Sequence, residues 1–103
     1  MWGQLITMQL KPGKETSLPA LADQLRATEQ SGSGLLRSTT MIDQKDPSRV
    51  FTFVLFESEE AARKREQDPR RQEGLAEVRA MMADIFEGPP EFVDLTVVAD
   101  ATY

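Results

Sequence analysis

From Trp2 to Leu10 the chain runs without a charge through strand-compatible residues, and Pro12-Gly13 ends the run, which predicts a first strand over residues 2–10. The period then changes. Ser17 precedes Leu18, Leu21, Ala22 and Leu25, a spacing of three and four that lays an apolar stripe along a helix and tolerates Pro19 in the first turn. Ser31-Gly32-Ser33-Gly34 offers left-handed backbone and local hydroxyl bonds, so the helix is expected to stop there. Two strands follow, Leu35 to Asp43 and Val50 to Phe56, joined into a hairpin by the turn residues Gln44 to Ser48. Ser58, Glu59 and Glu60 supply a hydroxyl cap and two carboxylates for a second helix, which Pro69 is expected to break or kink. Leu75, Val78, Met82, Ile85 and Phe86 share one face of its continuation, Gly88-Pro89-Pro90 ends it, and Phe92 to Ala99 reads as the last strand.

This order predicts a single α+β domain over residues 1–103, a ferredoxin-like βαββαβ fold whose helices cover one face of a four-stranded antiparallel sheet. The third strand carries Val50, Val54 and Phe56 on one side and Phe51, Phe53 and Leu55 on the other. A strand with one wet face alternates apolar and polar residues, so this strand needs cover on both sides. The helices supply one cover and no further segment remains for the other. The expectation is an obligate homodimer packed sheet to sheet.

Composition narrows the chemistry. A chain of 103 residues, 40% hydrophobic and 28% charged, suits one globular domain. It contains no cysteine, histidine or asparagine, which removes disulfides, thiolate metal sites, cysteine nucleophiles, imidazole acid–base catalysis and a proximal haem histidine. Seventeen acidic side chains against 12 basic ones give a net charge of −5, the wrong sign for the basic footprint that nucleic acid requires. No apolar run nears the roughly 20 residues of a membrane span, and the uncharged first ten residues, followed by Lys11, lack the order of a signal peptide. A soluble, cytoplasmic protein is expected. Phosphate-binding glycine loops, metal-ligand spacings and nucleophile motifs are all missing, so no cofactor or metal is expected.

Several short motifs nonetheless stand in a telling order: Lys11-Pro12-Gly13-Lys14-Glu15 after the first strand, Gly34-Leu35-Leu36-Arg37 entering the second, and Asp46-Pro47 in the hairpin. Phe56-Glu57-Ser58-Glu59-Glu60-Ala61 enters the second helix, Asp68-Pro69 marks its break, and Pro89-Pro90 precedes the final strand. Together they make the chain resemble the antibiotic biosynthesis monooxygenase-like proteins of the dimeric α+β barrel superfamily. The resemblance implies two sheets packed face to face, with a ligand cavity between helices and sheet in each subunit. It also implies one of several activities: cofactor-independent oxygenation of polycyclic phenols and quinols, haem degradation, or a role not yet assigned. Many members carry Trp at the position of Phe56 and His at those of Arg65 and Arg70, and the haem-degrading branch relies on an Asn, Trp and His set. Without Asn or His, that branch is not expected here. A cofactor-free oxygenase remains compatible, because an electron-rich substrate reduces dioxygen once its anion is favoured. The competing expectation is a non-catalytic ligand-binding or interaction module on the same scaffold, with an isomerase or decarboxylase of a related carbonyl compound as a third.

Six residues are candidates for a ligand pocket. Arg37, on a strand face with Leu35, Thr39 and Met41, is suited to hold a phenolate, enolate or carboxylate, unless it reaches water from an edge strand. Trp2 could wall an aromatic-substrate pocket or simply cover core or dimer surface. Thr39, Thr52 and Gln4 are uncharged strand residues able to orient a small polar ligand, although such groups more often fill half-buried cross-strand positions. Asp94 would act as a base only if its environment raised its pKa. The one basic cluster, Arg63-Lys64-Arg65 with Arg70-Arg71, is explained as a solvent face salt-bridged at a spacing of four by Glu59, Glu60 and Glu66. Met81 and Met82 beside Ile85 and Phe86 read as core, or as the lining of an adaptable pocket.

Overall fold

The computed structural model describes residues 1–103. Strand β1 (Trp2–Leu10) leads through a 3-10 turn (Glu15–Ser17) into α1 (Leu18–Thr28), then the hairpin of β2 (Leu35–Ile42) and β3 (Arg49–Phe56). Helices α2 (Glu59–Glu66) and α3 (Pro69–Ile85) follow, and β4 (Phe86–Thr96) closes the fold. The strands form one antiparallel sheet in the order β2-β3-β1-β4, the ferredoxin-like arrangement expected from the order of periods.

Local chemistry fixes the helix ends. Ser58 accepts a hydrogen bond from the Ala61 amide at 3.1 Å and caps α2, with Glu59 and Glu60 in the first turn where the helix dipole favours them. Asp68 accepts from the Arg70 amide at 2.9 Å and Pro69 takes the first helical position, so the proline starts a separate helix and does not kink a continuous one. That break also corrects the expected Glu66–Arg70 pair. Arg70 turns back to Asp68 at 2.7 Å, while Glu66 meets Arg63. Gly34 enters β2 with φ +83°, and a Cβ there would lie 2.6 Å from that of Ala61, so both backbone and space demand glycine.

Two elements depart from expectation. The last strand starts at Phe86, not Phe92, and ends at Thr96, not Ala99. Phe86 already pairs with Leu10, and Gly88-Pro89-Pro90 is absorbed as a bulge opposite Thr7–Gln9, with Gly88 at φ +68°. Proline is tolerated there because β4 is an edge strand. Beyond Thr96 the strand has no partner, since Thr96 stands opposite Trp2, the first residue of β1. In β2 a second irregularity lies between Leu35 and Arg37: Leu35 faces Phe56 and Arg37 faces Leu55, leaving Leu36 as an extra residue. Leu35 therefore packs toward Trp2 and Phe56, whereas Arg37, Thr39 and Met41 share the opposite face.

The helix-side core is in two pieces. Leu10, Leu21, Val50, Leu75, Val78, Ile85 and Phe86 form the larger, under α1 and α3. Trp2, Phe56 and Ala62 form the smaller, under α2. The opposite face carries no helix and presents Phe51, Phe53 and Leu55 with Leu5, Val93 and Leu95, so β3 is apolar on both sides as its sequence requires. Gly3 is buried there, and a Cβ at this position would approach the Phe53 ring to 2.9 Å, so the side chain of Phe53 takes the space.

Candidate cleft between the two halves of the core

Side chains on a strand alternate, so the registers sort the candidates by face. Trp2, Gln4 and Thr52 point to the helices, and Asp94, opposite Gln4, joins them. Arg37 and Thr39 do not. The Leu36 bulge sends both to the helix-free face, where Arg37 lines an open cavity of about 450 Å³ with Met1, Leu36, Leu55 and the C-terminal residues Asp100 to Tyr103. The structure thus places four of the six on the helix side and leaves Arg37, the one suited to an anion, with Thr39 on the other.

Between the two core clusters lies a strip of sheet that belongs to neither. Ile6 and Thr52 are only half-buried, and Phe92, paired with Ile6, is 57% exposed although it sits on the helix side. Thr40 and Thr52 share a hydroxyl hydrogen bond at 3.0 Å on the same strip. Neither core cluster covers these apolar side chains, which leaves a strip of sheet open on the helix side.

One end of the strip is apolar. Met8, Phe86, Gly88 and Pro90 from the sheet and Met82 and Ala83 from α3 line a partly open cavity of about 130 Å³. That volume is on the order of what one aromatic ring occupies. Met82, read as core or pocket from sequence, is thus both: it packs against the larger cluster and lines the cavity. Flexible thioethers suit a wall that must adapt.

The other end is polar. Gln4 Nε2 donates to Asp94 Oδ1 at 2.9 Å. Arg63 Nη2 donates to Asp94 Oδ2 at 3.1 Å and to Glu59 at 3.3 Å, while its Nη1 donates to Glu66 at 3.3 Å. The same guanidinium lies 5.1 Å above the Trp2 ring, which packs at a tilt on Phe56. Partial desolvation works against its charge, but the Asp94 hydrogen bond and the charges of Glu66 and Asp94 outweigh that and raise its pKa. Arg63 lies on the salt-bridged solvent face expected from sequence, with its side chain 43% exposed. Its pairing with Glu59 at a spacing of four is real, and that pairing hid a second partner on β4. Four residues of strand separate Met8 from Gln4, so about 13 Å of sheet, at the usual rise per residue, lies between the apolar cavity and the polar group.

The antibiotic biosynthesis monooxygenase family model matches residues 1–77 of the chain. Among solved structures, a candidate antibiotic biosynthesis monooxygenase from Nitrosomonas europaea superposes with a TM-score of 0.74 at 14% identity, over 96% of this chain and 100% of that one. A similarly described protein from Chloroflexus aurantiacus gives a TM-score of 0.68 at 21% identity, over 98% and 96%. A single-site variant of SnoaB, a cofactor-independent oxygenase from Streptomyces nogalater, gives 0.73 at 11% identity, over 96% and 94%. At such identities the likeness is one of fold. No curated protein matches the sequence.

Proposed function

Because the chain belongs to the antibiotic biosynthesis monooxygenase family, we propose that it binds a small aromatic molecule of the phenol or quinol class in the helix-side cleft. The observation that carries this is the uncovered Ile6–Phe92 strip between an apolar cavity and the Gln4–Asp94 pair. A ring enters between Met8, Met82 and Pro90, the rest of the ligand covers Ile6 and Phe92, and its polar end reaches Gln4 and Asp94. Burial of that apolar strip drives binding, and the polar end fixes orientation.

The working form is a homodimer in the cytoplasm, each copy covering the other's helix-free face. Val93 and Leu95 on that face are exposed in the single chain, next to the row of Phe51, Phe53 and Leu55. No helix of the chain is long and apolar enough to cross a membrane.

A second reading, oxygenation of the bound molecule, is favoured by the family and by the cofactor-independent oxygenase among its structural neighbours. In that reaction a CH₂ of the substrate becomes a carbonyl, one atom of dioxygen is retained and the other leaves as water. The substrate supplies the electrons, and the protein excludes solvent and holds the polar end. The cleft offers no free cation to stabilise a substrate anion, because Arg63 is committed to carboxylates and Arg37 lies across the sheet. Binding without turnover is therefore the better-supported function.

Thermal denaturation with anthrone- and quinol-type molecules, run beside an oxygen electrode in metal-free buffer, tests both readings. Ligand-dependent stabilisation that disappears in Ile6→Trp, which fills the strip, supports the cleft. Dioxygen consumption above the uncatalysed rate supports the second reading. Stabilisation that survives Ile6→Trp unchanged refutes the assignment of the cleft.

A further inference from the structure

Resting on that reading, we infer that the polar end of the cleft selects a neutral phenolic hydroxyl and excludes aryl carboxylates and phenolates. The inference follows from the excess of acceptors over donors and of negative over positive charge at this end. The Gln4 amide is committed to Asp94, and Arg63 spends its guanidinium on Asp94, Glu59 and Glu66, all between 3.1 and 3.3 Å. Its face is occupied as well, since it lies on the Trp2 ring. Some N–H groups of Arg63 and Gln4 stay free, but the three carboxylates and the Gln4 carbonyl oxygen leave more open acceptor positions than these donors.

Charge points the same way. Three carboxylates surround one guanidinium, so an anion placed against Gln4 meets a net negative field. Such a site discriminates by repulsion and by the hydrogen bond it offers. Arg63 is thus a specificity residue in an unexpected sense: its neighbours prevent it from acting as an anion receptor. A hydroxyl that donates to Asp94 or to Gln4 Oε1 gains a charge-assisted or carbonyl-directed bond. An ether of the same shape gains neither.

Three probes with one ring system separate these effects: 2-naphthol, 2-methoxynaphthalene and 2-naphthoate, titrated at pH 7 by calorimetry, with chemical shifts of the Gln4 side-chain amide and the Trp2 indole locating the site. The expected order is naphthol first, the ether weaker by about tenfold and the carboxylate weaker still. Asp94→Asn is expected to narrow the gap between naphthol and naphthoate, and the paired change Glu59→Gln with Glu66→Gln, which unfastens Arg63, to narrow it further. Naphthoate binding as tightly as naphthol overturns the inference and leaves the cleft reading intact, as does a ratio that neither variant alters. If all three fail to bind at millimolar concentration, the cleft reading falls and the inference falls with it.

Discussion

Replacing Glu29 by Gln isolates the ion pair that ties the end of α1 to α2. Arg65 grips this carboxylate through Nε at 2.9 and 3.1 Å and Nη2 at 2.6 Å, with the two side chains only 17% and 22% exposed, and its guanidinium lies 5.5 Å from the Phe56 ring centroid. Exposed pairs contribute about 0–1 kcal/mol, and breaking a buried pair costs roughly 3–5 kcal/mol. A bidentate pair at this intermediate exposure is expected to lose about 1–2 kcal/mol on Glu29→Gln. Arg71 deepens the loss. Burial first, and then repulsion from Arg65, disfavour its charge, its Nε has no partner, and Glu29 is a main source of attraction for it. Arg71→Gln should therefore restore part of the stability lost in Glu29→Gln while changing the wild type little, a coupling that a double-mutant cycle measures. Acid should abolish the difference. Burial pushes the Glu29 carboxyl up, but Arg65, a hydrogen bond from Ser33 and the charges of Arg65 and Arg71 together hold it below the usual carboxylate range. The folded state thus binds this proton less readily than the unfolded one, so the contribution is complete above the unfolded pKa and is lost as pH falls through the folded one. Urea unfolding at equal chain concentration should show the full gap at pH 7 and a shrinking one below about pH 4.5. A gap under about 0.5 kcal/mol at pH 7, or one that widens in acid, refutes the reasoning.

Two further outcomes are accessible by the same methods. Gly74→Ala should destabilise the fold by about 1–2 kcal/mol despite alanine's better helix propensity, because the new Cβ would lie 2.5 Å from Cγ2 of buried Thr28, whose hydroxyl is already bonded to the Leu25 carbonyl. Urea midpoints decide it, and an unchanged or raised midpoint shows that α1 and α3 can separate without cost. Val93→Asp, at a position 49% exposed in the single chain, should leave the helix content intact but convert a dimer to a monomer. Light scattering with circular dichroism checks both, and a dimer that survives places the interface elsewhere.

Most of the fold could be read from periodicity because each element has a local cause: a cap at Ser58, a glycine pair around Ser33, two apolar sides on Val50 to Phe56. The errors come from features that leave no periodic trace. Gly88-Pro89-Pro90 reads as a loop, since nothing local reveals that β4 is an edge strand on which proline is harmless. Asp94 and Gln4 were candidates on separate strands that only the register could join, and Arg63 was already explained by Glu59 four residues away, which concealed a partner 31 residues on. The most consequential miss is a single residue. Had alternation run unbroken from Leu35, Arg37 and Thr39 would face the helices and the cleft would hold a free guanidinium, the arrangement suited to a phenolate or carboxylate. Leu36 is apolar beside an apolar neighbour, so the sequence gives no sign that it is the extra residue of a bulge. That insertion turns Arg37 to the other face and leaves the cleft with Arg63 as its cation, already held by three carboxylates. On the proposed reading, the charge of the ligand thus traces to the parity of one strand.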